Sequence, residues 1–223
     1  MARLGRIFVT TNYDNWLHKG FPSLSFNAEL EVANKLQIEK RIVHRVQELA
    51  PSDLNIPDTV IHLHGWVGEP DEMILTTQDY VRHYANDRKI GSNNDDENRV
   101  LTFLDYLFSP AANKTVLFIG YGLEELEILE YVILKARRAP GAQSSPVNHY
   151  LLQGFYSHQE QLMKSLTKYF LDECGIQLIP FSLDQKNWEQ LIDVLEDFSR
   201  RAPASAPLIL QQFSDMEALL NGS

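Results

Sequence analysis

Cysteine is nearly missing from this chain: Cys174 is the one such residue among 223. An internal disulfide and a thiolate zinc site are thereby excluded, and the usage fits a reducing cytoplasm. Positive charge is scarce as well. Lys and Arg number 20 against 30 Asp and Glu, leaving a formal charge of −10 and a pI near 5.1. A nucleic-acid binder usually carries a basic stripe. The compact basic cluster here, Lys135 with Arg137 and Arg138, falls in the last turn of an expected helix, where cations offset the dipole. No direct nucleic-acid partner is expected. Long apolar runs are missing too: none approaches membrane-spanning length, and no signal peptide precedes the first strand. The expectation is a soluble, cytoplasmic chain without a membrane partner. With 44% hydrophobic residues it can bury a core.

Strand and helix signals alternate along the chain. Ile7-Phe8-Val9 is an apolar run that ends in Thr10-Thr11-Asn12-Tyr13-Asp14. Such a run suits a strand buried on both faces of a parallel sheet, and ligands bind beyond the carboxyl ends of those strands. Thr11, Asn12 and Asp14 would stand there. An Asx turn is the structural alternative. A helix is expected over 28–49, with Leu36, Val43, Val46 and Leu49 forming its stripe. Thr59 to His64 then reads as a strand breaking at Gly65, and Met73-Ile74-Leu75 as a short strand. Thr76 and Asp79 have capping-box spacing, opening a helix with Tyr80 and Tyr84.

Residues 86–98 are expected to form a polar loop, and Arg99 to Phe108 an amphipathic helix with Leu101, Leu104 and Leu107 or Phe108 inward. Strands are expected over 115–119, 149–152 and 176–179. Helices are expected over 123–137, 157–173 and 187–200, the last with Trp188, Leu191, Ile192, Leu195 and Phe198 inward. Cys174 reads as packing where a helix enters a strand. The whole predicts an α/β domain with a mainly parallel sheet over 1–200, followed by a linker and a short terminal helix over 201–223.

Two local patterns could carry chemistry. His62 and His64 lie two apart on a strand and should share one face. They could bind a metal, although no third ligand has spacing support. Alternatively His64 is a general base, with Gly65 letting a ligand approach the backbone. Hydrogen-bonded, half-buried histidines are the structural alternative. Gly120-Tyr121-Gly122 sits between a strand and a helix like a nucleotide-binding turn, but Glu125 takes the third glycine's place in GxGxxG. Acidic residues there suit ribose hydroxyls better than phosphate, and are also ordinary in a first helical turn.

Taken in order, these segments resemble the sirtuin-like domain of bacterial NAD-consuming proteins. Thr10-Thr11-Asn12-Tyr13-Asp14 is similar to that family's Thr-x-Asn-x-Asp signature, and His62-Leu63-His64-Gly65 to its His-Gly strand end. Leu75-Thr76-Thr77-Gln78-Asp79-Tyr80 resembles its Leu-Thr-x-x-Asp-Tyr segment. Residues 117–125 resemble its Gly-Tyr-small turn and acidic helix. The likeness covers about residues 6–200.

That resemblance implies a Rossmann-like domain with NAD as substrate and no metal. The lack of zinc-binding cysteine pairs favours the NAD-hydrolysing branch, commonly antiphage, over a protein deacylase. By analogy Asn12 would orient water or a ribose hydroxyl at the anomeric carbon. Asp14 would hold the nicotinamide side or steady the Asn12 loop, and His64 would accept a proton. Thr11, Tyr13, Gly65, Gly120, Tyr121 and Gly122 would border the NAD, with Glu124 accepting from a hydroxyl. The family's glycine-rich phosphate loop is expected well ahead of the first signature, yet five residues precede Arg6. The first βα unit is therefore expected from a larger domain, a second copy or a partner polypeptide completing the sheet. The competing expectation is a non-catalytic interaction module; a metal-dependent hydrolase using His62 and His64 is the third.

Overall fold

The computed structural model describes residues 5–18, 40–84, 99–109, 112–121 and 149–201. Among them, strands β1 (Ile7–Thr10), β2 (Arg41–Val43) and β3 (Thr59–His62) form one sheet in the order β1-β3-β2. Strands β4 (Val116–Ile119), β5 (His149–Phe155) and β6 (Ile176–Ser182) form a second, in the order β4-β5-β6. All these pairings are parallel. The flanking helices are α1 (Thr77–Tyr84), α2 (Arg99–Leu107), α3 (Glu160–Tyr169) and α4 (Gln190–Arg201). This is an α/β, Rossmann-like architecture of two small parallel sheets.

The central strand β3 is buried along its whole length, as a strand covered on both faces must be. One apolar cluster joins the two sheets, running from Val43, Leu54 and Ile61 through Phe103 and Leu104 of α2 to Phe118, Leu151 and Ile176. Burial of side chains this size contributes roughly 1.5–3 kcal/mol each. The next residue along β5, Leu152, belongs to a second cluster with Phe181, Leu183 and the inner side of α4. Successive residues of a strand point to opposite faces, so β5 is packed on both. Beside the amino ends of β1 and β3, Arg6 pairs with Asp58. Arg41 reaches the buried Asp53 carboxylate at 2.9 Å, which also takes the Ala50 N–H at 3.1 Å.

Several expectations are borne out. α1 opens at Thr76, α2 buries Leu101, Leu104 and Leu107 with Phe108 buried just past its end, and Cys174 is buried in the core. Others need correction. Residues 41–49 form β2 and a single 3₁₀ turn (Val46–Glu48), not the end of a helix; residues 28–39 lie outside the described ones. Val43, Val46 and Leu49 are all buried, so the apolar spacing came from core positions on a strand and a turn. Met73 to Leu75 is extended but not a strand, being tied by the Ile74 N–H to the His64 carbonyl at 2.9 Å. The 157–173 helix begins as a 3₁₀ turn and ends in a π turn (Phe170–Cys174) that buries both Phe170 and Cys174. The expected 187–200 helix opens as a 3₁₀ turn (Asn187–Glu189), where Trp188 is 50% exposed; on α4 Val194 faces inward with Leu191, Leu195 and Phe198, while Ile192 is 60% exposed. The expected 123–137 helix, the 86–98 loop and the terminal segment from 202 lie outside the described residues.

Candidate functional site

Parallel pairing of β1 with β3 sets Thr10 level with His62. The chain therefore leaves both strands at the same end, and the ladder extends one bond further, from the Leu63 N–H to the Thr10 carbonyl at 2.9 Å. Residues 11–14 and 63–66, some fifty positions apart in sequence, meet there. Asp14 caps the loop as an Asx turn, its carboxylate accepting the Trp16 N–H at 2.9 Å. The Asn12 N–H donates to Thr10 Oγ1 at 3.1 Å, and both Asn12 and Asp14 are exposed.

His62 fastens this loop from beneath. Its Nδ1 lies 2.9 Å from the Asn12 carbonyl, which can only accept, so Nδ1 carries the proton. Neutral His62 then offers the Nε2 lone pair to His18 Nε2, 2.8 Å away. Burial lowers the basicity of His62, and burial followed by the neighbouring His62 lowers that of His18. The pair shares one proton between the two facing nitrogens and holds the short 3₁₀ turn Trp16–His18 against β3.

His64 belongs to a different neighbourhood. Its Nε2 is 2.7 Å from Tyr84 Oη, and its Nδ1 is 3.4 Å from Tyr80 Oη. Desolvation pushes its pKa down to about 4, with the Thr11 backbone pulling the other way. The expectation that His62 and His64 share one face is thus corrected. β3 ends at His62, and strand alternation does not carry past it. Among the described residues no group of three or more His, Cys, Asp or Glu is placed to hold a metal.

Gly65 has φ +83°, and a Cβ there would meet the Glu72 carbonyl oxygen at 2.6 Å. On the Cβ side of Gly65 the close backbone approach is made by the chain's own 72–73 segment. Tyr13 reinforces that packing by donating its hydroxyl to the Ile74 carbonyl at 2.6 Å, and the Val67 N–H donates to the Tyr13 carbonyl at 2.9 Å. The Trp66 ring sits between His18 and His44, 5.4 Å from each. Beyond it, Arg45 grips Glu69 through two hydrogen bonds of 2.7 and 2.9 Å and holds that carboxylate down to about 2.

Of the remaining sequence-predicted residues, Thr11 is half-buried at the β1 end, beside Asn12. Gly120 (φ +68°) and Tyr121 close β4 in the other sheet, Tyr121 packing edge-on against Phe118 at 5.7 Å. Gly122 and Glu124 lie outside the described residues. His18 and His44 escaped sequence reading, since a lone histidine in a loop has no local signal. Tyr84 was legible only as a helix residue, and Tyr80 as a helix residue that also closes the Leu-Thr-x-x-Asp-Tyr segment.

Comparison with curated proteins returned no match. Residues 6–179, from the approach to β1 into β6, match the family described as SIR2-like domain, and the chain belongs to that family.

Proposed function

We propose that this chain binds NAD and hydrolyses its nicotinamide–ribose bond. Family membership ties the domain to NAD chemistry in general. The observation that carries the finer reading is the meeting of the Asn12 loop with the β3 end, locked by the His62–Asn12 bond of 2.9 Å. The C–N bond breaks with its electron pair leaving on nicotinamide, and water adds to the oxocarbenium-like carbon. Catalysis then consists largely of positioning and of stabilising developing charge. Exposed Asn12 orients the water or a ribose hydroxyl, Asp14 steadies the loop through its Asx turn, and His64 takes the proton. Thr11, Tyr13, Gly65, Gly120, Tyr121, Gly122 and Glu124 border the ligand. No metal enters this scheme.

The biological role that goes with this activity is antiphage defence by depletion of NAD, on the strength of the family resemblance. A working assembly in which a second copy or a partner polypeptide completes the sheet goes with this reading; light scattering of the purified chain, alone and with a candidate partner, tests it.

Asn12→Ala and His64→Ala should each reduce nicotinamide release about 10²–10⁴-fold, the usual contribution of a positioned acid–base group. Circular dichroism matched to the parent controls for folding. Full turnover in either folded variant would remove that residue from the mechanism.

A further inference from the structure

His64 is where the proposed hydrolysis needs a proton acceptor, and both of its ring nitrogens are already engaged. Nε2 either accepts the Tyr84 proton or donates its own to Tyr84 Oη, 2.7 Å away. In both tautomers that position is filled. Nδ1 faces Tyr80 Oη at the longer distance of 3.4 Å. Tyr80 and Tyr84 stand one helical turn apart on α1 with their rings stacked at 5.6 Å, and each ring lies near-perpendicular to the imidazole. Tyr13 adds a third ring at 6.2 Å. Under this cover His64 is only 6% exposed, whereas Asn12, its proposed co-worker, lies open.

We propose that Tyr84 is a gate over His64: its hydroxyl occupies the hydrogen-bonding place of a ribose hydroxyl or water, and substrate enters by displacing it. The proposal deepens the hydrolase reading and rests on it for the identity of the entering group. A phenol and a sugar hydroxyl are both O–H donors, so the exchange swaps one neutral hydrogen bond for another. The Thr76 end of α1 is pinned by reciprocal bonds with Asp79, and Tyr84 stands about two turns beyond that anchor. Uncovering the imidazole also returns it to water, which restores the basicity that desolvation has taken away.

Diethylpyrocarbonate, which acylates neutral imidazole nitrogen, reads the gate without NAD. The full chain is treated and His64 followed by peptide mass mapping, with exposed His158 as the internal reference. Tyr84→Phe keeps the ring and removes only the hydroxyl. The His64-to-His158 rate ratio should rise roughly two- to tenfold, the weight of one neutral hydrogen bond. Tyr80→Phe, which loses the longer contact, should raise it less. Nicotinamide release by Tyr84→Phe should rise by a similar factor. An unchanged ratio in a variant of native circular dichroism overturns the gate, as does a larger effect of Tyr80→Phe. A raised ratio with reduced nicotinamide release also overturns it, making Tyr84 a proton relay instead. A raised ratio with no nicotinamide from either protein upholds the cover over His64 and rejects the hydrolase reading.

Discussion

A glycine can be required by a ligand or by the protein itself, and Gly65 shows how the two are told apart. In the sequence, a glycine directly after His-Leu-His marks a strand end and invites the thought of a ligand close to the backbone. The positive φ and the 2.6 Å approach of the Glu72 carbonyl to a Cβ supply a complete structural reason. Gly65→Ala should therefore lower stability by about 2–4 kcal/mol, combining left-handed strain with a clash against backbone that cannot rotate away. Urea unfolding measures this, and a loss below 0.5 kcal/mol, on the order of a neutral surface change, would contradict the geometry. Asn12, Asp14 and His64 were legible as polar residues where apolar runs stop. Their partners were not. His18 reaches His62 across 44 positions and Tyr84 reaches His64 across 20, separations that no local spacing encodes.

At the scale of elements, patterns long enough to repeat were read well and short ones were not. α2 shows its stripe over nine residues, and its buried side chains follow that stripe. β2 has three residues, too few to display a period of two, and its Val43 was absorbed into the helical spacing of Val46 and Leu49. The opening of α1 was legible because a capping box is local chemistry. Thr76 Oγ1 accepts the Asp79 N–H at 3.2 Å, while the Asp79 carboxylate takes the Thr76 N–H at 2.8 Å. Thr76→Ala should destabilise this end by about 1 kcal/mol, the usual cost of losing an N-cap. Hydrogen exchange over residues 77–84 should then quicken by roughly fivefold while α2 stays protected. Because α1 carries both tyrosines over His64, the same variant should loosen the gate. Unaltered exchange in α1 would mean that packing against α2, and not the cap, holds the helix.

Across the whole molecule, the fold class was readable from the alternation of strands and helices, but the division of the described strands into two sheets of three sharing one core was not, since it depends on pairings between distant segments. That core has a consequence for stability that single residues do not reveal. His62, His64 and His149 are all sheltered, and desolvation is the leading cause that lowers the basicity of each. The unfolded chain holds its histidines near the ordinary value of about 6.5. Between that value and the lowered folded ones, the unfolded state binds more protons, so stability decreases as pH falls. For His64 the window runs from about 6.5 down to about 4, and His62 and His149 add to its upper part. His64 alone corresponds to roughly 2–4 kcal/mol over that range, at about 1.4 kcal/mol per pH unit. The rings around His64 are Tyr13, Tyr80 and Tyr84, none of which offers a carboxylate to stabilise an imidazolium. His62 faces His18 and feels His44 and Asp14, with burial outweighing the carboxylate. Urea midpoints should thus be flat from about pH 8 to 7 and fall steadily from about pH 6.5 to 4.5. The slope should be shallower in His64→Gln, which keeps a polar side chain and removes the titration. A midpoint that holds constant down to about pH 5 would show that the histidines are solvated and that the cover over His64 does not exist in solution.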